Sequence, residues 1–119
     1  MNESTEIARA SARFVRMSPQ KGRLVADLIR RRYVGEALTI LRFNDKKKIS
    51  AVLEKVLRSA IANAQQKTPN VDVDTLYIAK IQITGGPTAK RIRPAPQGRA
   101  YRVIKRTSHV QIHLEEKGR

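Results

Sequence analysis

The sequence predicts an α+β fold: a small three-helix body packed on an antiparallel three-stranded sheet, with a long protruding basic β-hairpin. Three observations predict it. Apolar residues between positions 49 and 64 recur at spacings of three and four over four turns, which marks a core helix. Residues 8–14 alternate strictly, and two further strand-like runs lie at 76–83 and 101–114. The forty residues 75–114 contain no Asp or Glu but eight Lys and Arg, with Gly85-Gly86-Pro87 and Pro94-Ala95-Pro96-Gln97-Gly98 at their centre.

Taken in order, the first strand places Ala8, Ala10, Ala12 and Phe14 on one face, to be buried, and Arg9, Ser11 and Arg13 on a cationic one. The small alanines imply a close-packed neighbour. Ser18-Pro19 then opens a helix, with Ser as N-cap and Pro at the first helical position. Leu24, Val25, Leu28 and Ile29 form its stripe. Arg30-Arg31-Arg32 closes it, at the negative end of the helix dipole, and is expected to meet phosphate. A short second helix over 35–43 turns Ala37, Leu38 and Leu41 inwards. Asn44-Asp45 is expected to cap the third and main helix. Lys46-Lys47-Lys48 at its start oppose the dipole, so two readings stand: an external anion, or a solvated lysine run. Thr68-Pro69-Asn70 breaks the helix, and a carboxylate-rich turn at 71–74 precedes the second strand.

The two later strands flank the basic centre, which makes one long antiparallel hairpin the economical arrangement. About thirteen residues per arm at ~3.3 Å each reach on the order of 40 Å. That exceeds the ~13 Å radius of gyration of a compact 100-residue domain, so the distal half must stand clear of the body. Pro94 and Pro96 cannot donate to a ladder, so pairing should fail around the tip. The whole chain, 1–119, is expected to be a single domain, with 84–100 the distal part of the hairpin.

With 25 Lys and Arg against 10 Asp and Glu, the net charge is +15. A segment as cationic as 84–100 cannot bury itself in its own protein, because unpaired charges resist desolvation. It needs a polyanion, and nucleic acid is the obvious one. Cys is absent, which excludes disulfides and thiolate metal sites. No apolar run approaches a membrane span, and the first residues lack a secretion signal, so a soluble intracellular protein is expected.

Enzyme chemistry finds no support. His109 and His113 lie about 13 Å apart on a strand, too far to share one ion. Asp72 and Asp74 belong to a turn. Gly85-Gly86-Pro87 lacks the Lys-Ser/Thr and helix of a phosphate loop. No catalytic residue, metal, cofactor or small-molecule substrate is therefore expected. For stacking on single strands, only Tyr77 and Tyr101 could serve. An Arg-rich arm with Gly and Pro at its tip suits crevices in folded RNA, which is read by shape and phosphate. The alternative reading is a free-standing nucleic-acid chaperone or architectural DNA-binding protein, with Ile92 beside Pro94 as a candidate wedge.

Three motifs carry a resemblance: Gly86-Pro87-Thr88-Ala89-Lys90-Arg91-Ile92-Arg93-Pro94, Gly98-Arg99-Ala100 and Lys105-Arg106-Thr107-Ser108-His109. Upstream, Ser18-Pro19-Gln20-Lys21-Gly22-Arg23-Leu24-Val25-Ala26-Asp27-Leu28-Ile29-Arg30 and Ser59-Ala60-Ile61-Ala62-Asn63-Ala64 extend it over nearly the whole chain. Together they closely resemble the large-subunit ribosomal protein uL22 (bacterial L22) family. The resemblance implies a body near the exit of the nascent-peptide tunnel and a hairpin that runs through 23S rRNA to line the tunnel wall. It also implies early binding in subunit assembly, protein uL4 as a neighbour, and contact with the nascent polypeptide. Lys90, Arg91, Arg93 and Arg99 match the family's tunnel-end basic positions; with Ala95 and Gln97 they form the expected tunnel-lining tip. Lys105, Arg106, Thr107, Ser108 and His109 match the motif where the arm re-enters the body. At the tip this chain departs from the family: Ala95 and Gln97 replace commonly basic residues, and Pro96 is an added proline. The expected RNA-binding set is completed by Arg9, Arg13, Arg16, Lys21, Arg23, Lys80 and Arg102.

Overall fold

Ser18 sets where the first helix begins: its hydroxyl accepts the Lys21 N–H at 3.3 Å, and Pro19 takes the first helical position. The computed structural model describes residues 6–86, 89–94 and 100–116. Along the chain run β1 (Glu6–Val15), α1 (Pro19–Ile29), α2 (Val34–Phe43), α3 (Lys47–Lys67), β2 (Leu76–Gly85), β3 (Ala89–Pro94), β4 (Ala100–Lys105) and β5 (Ser108–Glu116). Three helices pack on an antiparallel sheet of order β1-β5-β2, as the patterning predicts.

Central strand β5 buries Val110, Ile112 and Leu114 on the helix side; β2 adds Leu76, Ile78, Ile81 and Ile83. Helix α3 lays Leu53, Val56, Leu57, Ala60 and Ala64 over them. Beside it Ala8 is buried, so the alanines of β1 do admit a close neighbour. Asn63 Nδ2 donates to the Arg9 carbonyl at 2.9 Å and ties helix to edge strand.

The start of α3 differs from expectation. Lys46, not Asn44 or Asp45, is its N-cap, and no side chain caps it. Asn44 Oδ1 instead accepts the Lys46 N–H at 2.9 Å, closing a turn one step too early to reach the helix. Ser50, unremarked in the apolar stripe, is buried and its Oγ has no hydrogen-bond partner. Such a hydroxyl is a net liability, and alanine is the better helix former. Ser50→Ala is therefore expected to stabilise the free protein by about 1 kcal/mol, measured by urea denaturation; a loss of stability would contradict this.

Strand β2 is the second edge, and the segment around α1 covers it. Arg31 N–H donates to the Ile78 carbonyl at 3.1 Å and Ile78 N–H to the Arg32 carbonyl at 2.9 Å. Arg30 Nη2 reaches the Ile81 carbonyl at 3.2 Å, and Arg23 Nε reaches that of Ile83 at 3.0 Å. A capped edge cannot recruit a foreign strand. Two of the three arginines expected at phosphate thus have partners within the chain: Arg30 also approaches Asp27 at 3.3 Å, and Arg32 approaches Glu36 at 3.7 Å.

The expected strand over 101–114 is broken at Arg106-Thr107, so the hairpin is built in two pieces. Its base is β2–β5; its distal piece is the separate ladder β3–β4, paired from Ala89↔Lys105 to Pro94↔Ala100. At the junction Gly86 N–H donates to the Thr107 carbonyl at 2.9 Å. A Cβ on Gly86 would lie 2.6 Å from Thr107 Oγ1, so any larger residue there would have to displace the Thr107 side chain. Principal extents of 64 × 32 × 25 Å and a radius of gyration of 17.5 Å reflect the projecting arm; a compact chain of this length would have about 13–14 Å.

Candidate nucleic-acid interface

The helices leave one face of the sheet open, and its side chains follow from register. Arg9, His113 and Lys80 form one cross-strand row, and Ser11, Gln111 and Gln82 the next. His109 pairs with Thr84 in a third. Arg9, Arg13 and Lys80 are exposed, so three of the expected RNA-binding residues share this face.

Phe14 joins them, against expectation. A register shift between Ala12 and Val15 inserts an extra residue in β1, and Phe14 takes the left-handed conformation with φ 57°. Its ring therefore leaves the buried face and stands 61% exposed beside His109, with centroids 5.0 Å apart and planes at 87°. The Phe14 N–H donates to His109 Nδ1 at 3.1 Å. With Nδ1 accepting, the neutral ring carries its proton on Nε2.

Arg16 and Lys21 lie elsewhere, on the rim of a groove of about 580 Å³ between the β1–α1 connection and α3. Val15, Met17, Ile49 and Val52 line it, and Lys48 completes a cationic rim. Arg23 lies at the capped edge of β2. Lys90, Arg91 and Arg93 fall on β3, and Arg102 and Lys105 on β4. Arg106, Thr107 and His109 sit at the junction of arm and body. Ala95, Gln97 and Arg99 lie outside the described residues.

Ser108 leaves the contact surface altogether. It is fully buried, and its Oγ donates to the Met17 carbonyl at 2.8 Å. Its place in the Lys105–His109 motif is structural: it locks the base of the arm to the turn before α1. Gly22 supports the same joint, since a Cβ there would lie 2.9 Å from the Met17 side chain and 3.1 Å from that of Ile83. The residues that sequence reasoning missed are Phe14, Gln82 and Gln111. Period-two alternation assigns Phe14 to the core, and nothing local marks the bulge that reverses it.

Among the described residues no three His, Asp or Glu gather as a metal site, and no helix is long and apolar enough to cross a membrane. What remains is a class: an α+β body bearing a cationic open sheet face and a projecting two-stranded arm. Residues 10–115 match the family described as ribosomal protein L22p/L17e, and the chain belongs to that family. It is 52% identical over 109 residues to the large ribosomal subunit protein uL22 of Solibacter usitatus, covering 92% of this chain and 96% of the relative. Its identity to the protein of the same name from Desulfotalea psychrophila is 52% over 109 residues, covering 92% and 97%. With that of Caldicellulosiruptor saccharolyticus it is 50% over 119 residues, covering 98% and 96%. The chain is accordingly a structural protein of the ribosome and not an enzyme.

Proposed function

We propose that this structural constituent of the large ribosomal subunit binds 23S rRNA through its open sheet face and its arm, and so supports early subunit assembly. In this reading 1–119 is one domain, and residues 84–100, the distal part of the arm, line the nascent-peptide tunnel near uL4. The observation that carries it is the pairing of chemistry with shape. An acid-free stretch with eight cations includes a projecting arm that draws the whole molecule out to 64 Å along its longest axis. A ribbon of two strands is marginal alone in water, and this one carries few large apolar residues and no acidic counter-charge in its own sequence. Converging phosphates supply both order and neutralisation. Cations displace condensed counterions, RNA segments pack around the arm, and its shape sets their spacing.

Six phosphate contacts would give a log–log salt slope of about −4 to −5 for binding to 23S rRNA. Affinity measured between 50 and 300 mM potassium chloride checks this, and a flat dependence on ionic strength would refute the mechanism.

A further inference from the structure

The open face of the sheet carries a cup of about 270 Å³, walled by Phe14 and Arg13 on β1 and by His109 on β5. Ser11, Gln82, Thr84, Val110 and Gln111 line the rest. We propose that this cup receives one unpaired base of the bound RNA, stacked on Phe14, while Arg13 takes an adjoining phosphate. This rests on the RNA-binding reading above and adds to it a contact that charge neutralisation does not provide.

The backbone is the first argument. A bulky residue at φ 57° is an outlier, costly for any side chain with a Cβ. The molecule accepts that cost and a solvent-exposed aromatic together, when a regular strand would bury the ring with Ala8. His109 then holds the bulge in place, through Nδ1 and through ring contact. The outcome is an aromatic surface on an open sheet face, the element on which single-stranded bases are bound.

The second argument is the lining. Gln82 and Gln111 are directly opposed in register, and Ser11 and Thr84 flank them on β1 and β2. Each amide offers both donors and an acceptor, the combination a base edge presents in return. No carboxylate lines the cup, and Arg13, Arg9 and Lys80 make its surroundings cationic. An apolar peptide anchor would leave four polar side chains without partners, whereas a base satisfies them and the phosphate attached to its nucleotide brings the negative charge that Arg13 meets.

The test uses Phe14→Gly in the full chain. Glycine adopts a positive φ freely, so this variant removes the ring while relieving the backbone, and the body should melt no lower than wild type. Its affinity for 23S rRNA is expected to fall roughly 5- to 100-fold with the salt slope unchanged, because stacking is lost and no charge is. Phe14→Tyr should keep wild-type affinity, and Gln82→Ala with Gln111→Ala should weaken binding, again without altering the slope. Wild-type affinity in Phe14→Gly would overturn the proposal. So would normal binding to free rRNA combined with loss only from reconstituted subunits, since that assigns the cup to a protein neighbour. Should wild type itself bind rRNA without salt dependence, the broader RNA reading fails instead.

Discussion

Replacing Lys90, Arg91, Arg93 and Arg102 together by glutamine is expected to flatten the salt dependence of 23S rRNA binding by about three log–log units. All four belong to the distal ladder, Lys90, Arg91 and Arg93 on β3 and Arg102 on β4. Each phosphate neutralised contributes roughly 0.7–0.9 to the slope, so four lost contacts give that figure. At 0.1 M salt the variant should bind about a thousandfold more weakly, and the two proteins should converge towards 1 M. Body stability should not change, because none of the four residues belongs to the strands and helices of the core. Filter binding across a salt series, alongside denaturation of the free proteins, separates the two effects. An unaltered slope would mean that the arm's cations do not meet phosphate in the complex, whatever the affinity does.

Leu57→Ala should act on the other half of the molecule. Leu57 is fully buried in the middle of α3. Truncation there removes transfer free energy and leaves a cavity, together about 2–5 kcal/mol. A domain of this size has on the order of 5–15 kcal/mol in all, so the variant should approach half-unfolding at moderate temperature. Leu24→Ala is the control: Leu24 is largely exposed on α1, and its loss should stay within about 0.5 kcal/mol. Urea midpoints with a common m-value would report the difference. A cost below about 1 kcal/mol at Leu57 would mean that the body does not rest on the α3 stripe.

The two experiments divide the protein as its chemistry does. The body is a conventional core whose stability is its own. The arm has charge and backbone pairing but few large apolar residues in its sequence, and in the proposed reading RNA supplies the rest of its order. The junction between them is built from small and buried parts: Gly86 against Thr107, Ser108 on the Met17 carbonyl, and Gly22 beneath Met17. Substitutions at this joint are expected to disturb the seat of the arm without removing a cation, and the buried Ser108 is one member of the Lys105–His109 motif with a structural role.

Legibility in the sequence followed the range of the interactions involved. Helix α3 was readable because its stripe repeats over four turns, and α1 because Ser18 and Pro19 act within one turn of themselves. The cap of α3 was misplaced by a residue or two because Asn44 closes a turn that precedes the helix. Strand β1 was readable up to Ala12 and misread at Phe14, since a bulge depends on the partner strand. The single strand expected over 101–114 proved to be two, because its halves pair with different neighbours.

From the amino-acid order alone came the fold class, the core helix, the acid-free cationic arm and the resemblance to the uL22 family. These rest on periodicity, composition and contiguous motifs, which need no knowledge of what lies across the fold. Only the tertiary structure decided that Phe14 faces outwards, that Ser108 is buried, that Arg23 and Arg30 close a sheet edge, and that Gln82 meets Gln111. Those outcomes depend on strand register and on which backbone groups a neighbouring element leaves unsatisfied, and both are set between residues distant in sequence.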